Sequence, residues 1–158
     1  MAEKYLAIYL NDHLAGSTVG LDLVKRARGS NEGTPYEEVL ATLEEEIAED
    51  RSTLREMMSK LGVREDPVKR AGAWTAEKLG RLKLNGQITG YSPLSRLVEL
   101  EFLYLGITGK LSMWKSLQAA KGERLAGVDL AAMAKRAESQ RRRIQTARLR
   151  AAEETLSA

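Results

Sequence analysis

His13, Asp50 and Glu101 are polar residues set into otherwise apolar helical stripes, and Glu46 lies one turn before Asp50. An ionised carboxylate on a packed face is costly to bury unless it is paired, hydrogen-bonded or bound to a metal. One imidazole with two or three carboxylates makes a ligand set suited to iron, manganese or zinc. That chemistry predicts a mononuclear or atypical dinuclear centre held by His13, Glu46, Asp50 and Glu101. A structural arrangement competes with it. Arg141 and Arg148 border the inner face of the last helix, and a guanidinium fork matches a carboxylate bidentately. Either arginine could pair with Asp50 or Glu101, leaving His13 to hydrogen-bond with Asp50 or Tyr104.

Other chemistry is thinly supported. A His13–Asp50 pair could hold an imidazole in one tautomer for acid–base work. No partner nucleophile or phosphate-cradling loop accompanies it, so a catalyst is not the expectation. Gly16 and Gly20, four residues apart, read as a place where two helices approach closely. The five methionines are scattered, as core fillers are.

The elements that must position these residues are helices. All three prolines follow a capping residue, in Thr34-Pro35, Asp66-Pro67 and Ser92-Pro93. Proline suits the first helical position because its missing N–H would be unpaired there. The preceding Thr, Asp or Ser accepts from the free N–H groups of the first turn. Thr34 and Glu37 add the spacing of a capping box.

The first helix is expected from about Glu3 to Arg28, with Leu6, Leu10, His13, Leu14, Leu21 and Val24 on one face. Tyr5, Ile8, Val19 and Leu23 form a second apolar patch on its far side. The second helix is expected from Pro35 to about Leu61, ending at a Gly62 cap. A third runs from Pro67 to near Leu82. The fourth, Pro93 to about Ala120, is apolar nearly all round, which predicts a central position. A fifth covers roughly Val128 to Leu156, with Lys135, Arg136, Arg142, Arg143 and Arg150 expected to point away. Four of these reach roughly 40 Å at 1.5 Å per residue. Long helices with short loops predict an all-α, up-and-down bundle of about five helices in one domain, residues 1–158.

Registration tests the metal set. His13 and Asp50 fall at one height if the first two helices are antiparallel. Glu101 joins them only if the fourth helix runs parallel to the first; otherwise it lies roughly 10 Å away. The length of the third helix favours that second arrangement.

Charge is unevenly placed. Seven acidic and no basic residues lie between Thr34 and Asp50, while seven basic residues and Glu138 alone lie between Lys135 and Arg150. Mutual neutralisation within the bundle is the expected result. Nucleic acid is not the expected partner, because the basic segment has no aromatic residue for stacking and the net charge is only +3. Cysteine is absent, which excludes disulfides and thiolate metal sites. Glu3, Asp12 and His13 interrupt the apolar N-terminus, and no stretch is long enough to span a membrane, so a cytoplasmic location is expected.

The segments YLNDHLAG, EEEIAEDRSTL and LKLNGQITGYSPLSRLVELEFL resemble a group of bacterial helical-bundle proteins similar in architecture to the ferritin-like superfamily. The resemblance implies a ferritin-like bundle and no particular activity. Di-iron members of that superfamily carry Glu-x-x-His on two helices; this chain has Glu46-x-x-Glu49 and Glu138-x-x-Arg141 instead. The second apolar patch of the first helix makes association, with another copy or another protein, the expected function; the alternative is metal binding inside the bundle by His13, Asp50 and Glu101, with Glu46 as a further ligand.

Overall fold

The computed structural model describes residues 1–67, 90–120, 125 and 127–157. They form four helices: α1 (Ala2–Ser30), α2 (Glu37–Lys60), α3 (Pro93–Ala120) and α4 (Leu130–Leu156). The helix expected from Pro67 to Leu82 falls almost wholly outside the described residues, which by themselves form an all-α up-and-down bundle of four helices.

The capping chemistry operates nearly as expected. Ser92 Oγ accepts from the Ser95 N–H at 3.0 Å and opens α3 at Pro93. Thr34 Oγ1 accepts from the Tyr36 N–H at 3.3 Å, but Glu37 takes the N–H of Gly33 at 2.7 Å, one residue earlier than a capping box requires. Asp129, not anticipated, caps α4 by accepting from Ala132 N–H at 2.9 Å. At the end of α2, Gly62 has φ of 70°. Its N–H bonds to the Ser59 carbonyl and that of Val63 to the Met58 carbonyl, a Schellman closure.

Two apolar clusters fix the helix directions. Leu10 and Leu14 of α1 pack with Leu54, Met57, Met113, Trp114 and Ala137. Leu23, Val24 and Ala27, further along α1, pack with Leu40, Leu43, Leu97, Leu100 and Ile144. Hence α1 and α4 run one way and α2 and α3 the other. The antiparallel course of α3 against α1 is the arrangement that the expected length of the third predicted helix favours. Each helix touches two neighbours in the order α1, α2, α4, α3 around a ring.

α3 is not central, contrary to its all-round apolarity. Leu105 is 60% exposed and Phe102 44% exposed, because among the described residues each of the four helices keeps an outer face. Its partner α4 presents Ala134, Ala137, Ala147 and Ala151, whose small side chains let the two backbones approach closely.

Polar contacts tie one end together. Asn31, fully buried, donates to the Ala27 carbonyl at 2.7 Å and to the Tyr91 hydroxyl at 2.9 Å. Its Oδ1 accepts from Arg96 Nε at 2.6 Å. Tyr91 in turn donates to Glu99 at 2.8 Å, and Arg26 Nε reaches the other Glu99 oxygen at 3.0 Å. The start of α3 is thereby bonded to the end of α1. Tyr36 links α2 to α4 by donating to Glu154 at 2.7 Å; burial first, then this carboxylate, pushes its hydroxyl pKa up to about 12.

Because Gly62 sits in the left-handed region, Gly62→Ala is expected to destabilise the bundle by about 1 kcal/mol. Urea unfolding followed by circular dichroism measures this; an unchanged midpoint would mean the cap contributes nothing.

Candidate functional site

At mid-height, between the two apolar clusters, lies a buried ionic layer. Asp50 of α2 is 3% exposed. Its Oδ2 accepts from Lys110 Nζ of α3 at 2.5 Å and from Gln140 Nε2 of α4 at 2.9 Å. Its Oδ1 accepts from Arg136 Nε at 2.8 Å, with Arg136 Nη2 at 2.7 Å. Gln140 Oε1 accepts a second bond from Lys110, which orients the amide. Arg136 also reaches Glu49 at 2.7 Å near the surface. Every lone pair that faces inward has a donor, which is the condition under which a buried carboxylate is tolerated. Burial pulls the Lys110 pKa below the usual lysine value, and the Asp50 charge opposes that pull.

The structure separates the residues expected to bind metal. Glu46 is paired with Arg143 at 2.5 Å, and Glu101 with Arg148 at 3.4 Å. Glu101 is 45% exposed at its side chain; the buried carboxylate of α3 is Glu99, at 4%. His13 is half-buried with its ring edge against Tyr9, the centroids 4.7 Å apart. His13 and Asp50 line one cavity, but Glu46 and Glu101 do not. Among the described residues, no group of three or more His, Cys, Asp or Glu side chains is placed to hold a metal ion.

The cation partners divide in the same way. Arg148 meets Glu101 as expected, whereas Arg141 pairs with Glu138 on its own helix at 2.6 Å. Arg136 and Arg143, expected to point outward, turn inward onto α2. Long aliphatic stems let arginines reach round a helix, so the position of Cα says little about where the charge lies. These bonds also neutralise the acidic α2 against the basic α4. Lys110 and Gln140 were missed although the same spacing exposes them. Lys110 follows Leu103 and Ile107 and precedes Trp114; Gln140 lies between Ala137 and Ile144.

Beside this layer, α1, α2 and α3 enclose a cavity of about 260 Å³. Its apolar walls include Ile47, Leu54, Leu103, Ile107 and Trp114; Asp50, Arg51 and Lys110 form a polar wall; Asp12, His13 and Phe102 stand at the rim. Gly16 and Gly20 of α1 face Gly106 and Gly109 of α3 across it. A Cβ at any of the four would meet nothing within 4 Å among the described residues. The reading of Gly16 and Gly20 as a close helix contact is therefore corrected: they border open space. None has positive φ. Glycine in a helix interior is about 0.8–1.0 kcal/mol less favourable than alanine, so these positions forgo stability while widening the cleft.

Two donors in this wall stand out. Arg51 Nε donates to Thr18 Oγ1 at 3.2 Å, and the guanidinium has no carboxylate partner among the described residues. Trp114 is fully buried, and its indole N–H finds no acceptor among them. At the rim, burial lowers the His13 pKa, opposed by the Asp12 charge, so the imidazole is neutral at pH 7.

No protein-family model, curated protein or solved structure matches this chain. Among the described residues, no helix is long and apolar enough to cross a membrane.

Asp50→Asn removes the charge that compensates Lys110 and Arg136 and is expected to destabilise by about 3 kcal/mol. Glu101→Gln, half in solvent, is expected to change stability by less than about 1 kcal/mol. Chemical denaturation of both variants checks the contrast; equal effects would contradict the burial assignment. His13 is the sole histidine, so its proton resonance is unambiguous. Its midpoint is expected below 6.5. Because the unfolded chain then binds the proton more readily, stability falls as pH drops through 6.5 towards the folded midpoint, and His13→Gln should remove that slope.

Proposed function

We propose that this bundle is a binding protein whose cleft between α1 and α3 takes a small, largely apolar molecule without converting it. The observation that carries this reading is the cavity of about 260 Å³ bordered by four helix-interior glycines. Among the described residues nothing packs against them, since a methyl group would fit at each. Apolar walls with a few convergent polar groups are the usual make-up of a ligand pocket. Its volume exceeds that of an engineered cavity of about 150 Å³ that accepts benzene.

The path of the chain supports a ferritin-like architecture. α2 and α3 run in parallel and are joined by one long connection, residues 61–92, as in bundles of that superfamily. The residues do not fit its di-iron chemistry. Asp50, Glu46 and Glu101 are each bonded to a lysine or arginine, and a metal would have to displace those cations.

Association remains a second reading, favoured by one feature. Tyr5 and Ile8 of the outer α1 patch are 63% and 49% exposed, although Leu23 of the same patch is buried in the core. Sedimentation of the chain and of Ile8→Glu tests it: a mass above 17.5 kDa that the substitution abolishes supports association.

For the cleft, Gly109→Ala is expected to raise stability by about 0.8–1 kcal/mol. Gly20→Leu with Gly109→Leu should leave the helical spectrum intact and abolish binding of a neutral probe such as indole, read by calorimetry. Undiminished binding in the filled variant would overturn the reading.

A further inference from the structure

We propose that the ligand of this cleft is an amphipathic monocarboxylate, its apolar body lying between the glycines and its carboxylate paired with Arg51 beside Lys110. This rests on the reading of the cleft as a small-molecule site and names the chemical class that the site selects.

The charged groups facing the cavity are Asp12, Asp50, Arg51 and Lys110, with His13 neutral. Their partners are unequal. Asp50 has both oxygens engaged, by Lys110, Gln140 and Arg136, so its charge towards an incoming anion is offset by two cations. Asp12 is exposed at the mouth and forms no ion pair with Arg51 among the described contacts. Arg51 is half-buried, is held at Nε by Thr18, and among the described residues its two terminal nitrogens have no carboxylate partner. Lys110 has two of its three protons committed, to Asp50 and Gln140, which leaves one donor.

The unsatisfied capacity on the polar wall is therefore donor capacity on cations. A guanidinium presents parallel N–H groups that match the two oxygens of a carboxylate, and partial exclusion of water strengthens the pairing. A cationic ligand would meet Arg51 and Lys110 at the same wall, where the one carboxylate, Asp50, is already engaged by Lys110, Gln140 and Arg136. The rest of the lining is aliphatic, aromatic or glycine, which suits a hydrocarbon or aryl body. Scaling from the cavity that holds benzene gives a body of about ten non-hydrogen atoms.

A matched series tests the assignment on the full chain: 3-phenylpropanoate, 3-phenylpropan-1-ol and 3-phenylpropylamine, each titrated by calorimetry. The carboxylate is expected to bind about tenfold or more tightly than the alcohol, and the amine more weakly than either. Arg51→Met, which loses one described bond, to Thr18, should bring the carboxylate down to the level of the alcohol and weaken the alcohol far less than the carboxylate. Equal binding of acid and alcohol, blocked in the Gly20→Leu, Gly109→Leu variant, would overturn the anionic head while the pocket reading stands. Binding of none of the three would overturn both. A carboxylate preference that persists in Arg51→Met and in Lys110→Gln would place the anion elsewhere and overturn the proposal.

Discussion

The rest of the bundle depends on burying one carboxylate at its middle. Asp50 is almost wholly removed from water, and three helices contribute to its neutralisation: α2 carries it, α3 brings Lys110, and α4 brings Arg136 and Gln140. Apolar clusters above and below are tolerant of sliding, since one leucine can replace another in a contact. The ionic layer is not. Shifting α3 or α4 by a single turn moves a donor about 5.4 Å and leaves a charge buried without its partner. The layer thus fixes the register of three helices, while the energy of folding comes chiefly from the apolar clusters on either side.

Helix α1 stands apart from this arrangement. It contributes no donor to Asp50 and packs on α3 at its two ends, through Leu10 and Leu14 in one cluster and Leu23 and Val24 in the other. Between those contacts the facing glycines leave the cleft. The contrast with α4 is one of side-chain size and its placement. Alanines on α4 sit in the core and draw it against α3, whereas glycines on α1 and α3 sit beside a gap that nothing among the described residues fills. Small residues have opposite consequences in the two interfaces, and spacing alone does not distinguish them.

That difference marks what the sequence makes legible. Helix ends are local: Ser92 before Pro93 and Gly62 after Lys60 act through atoms a few residues away, and both are found as expected. The cross-neutralisation of α2 by α4 is legible because it needs only the sum of charges. Asp50 is recognisable because a short side chain must lie where its Cα lies. Arg136 and Arg143 are not, since their heads travel several ångströms from the backbone. Glu99 and Glu101 exchange roles for a related reason. Both lie near the apolar face of α3, and the choice between them depends on Arg26, Tyr91 and Arg148, which lie elsewhere in sequence. The cleft is the least legible feature: a void is a property of facing surfaces, and Gly16 and Gly20 look the same beside a gap as at a contact.

The ionic layer and the cleft meet at Lys110, and this ties the proposed binding to the structure. Burial works against its charge and Asp50 supports it; Arg136 on the same carboxylate works against it again, and Glu46 supports it less. The wall of the cleft therefore holds a cation whose charge is only partly compensated. A second anion at that wall would favour the charged lysine and be favoured by it, since the interaction is one and the same free energy seen from either group. A neutral occupant would lack this gain and would cover the ammonium group from what water reaches it. The residue that fixes the register of α3 is thus also the one on which the selectivity proposed for the cleft depends, so that proposal follows from the manner in which the bundle buries Asp50.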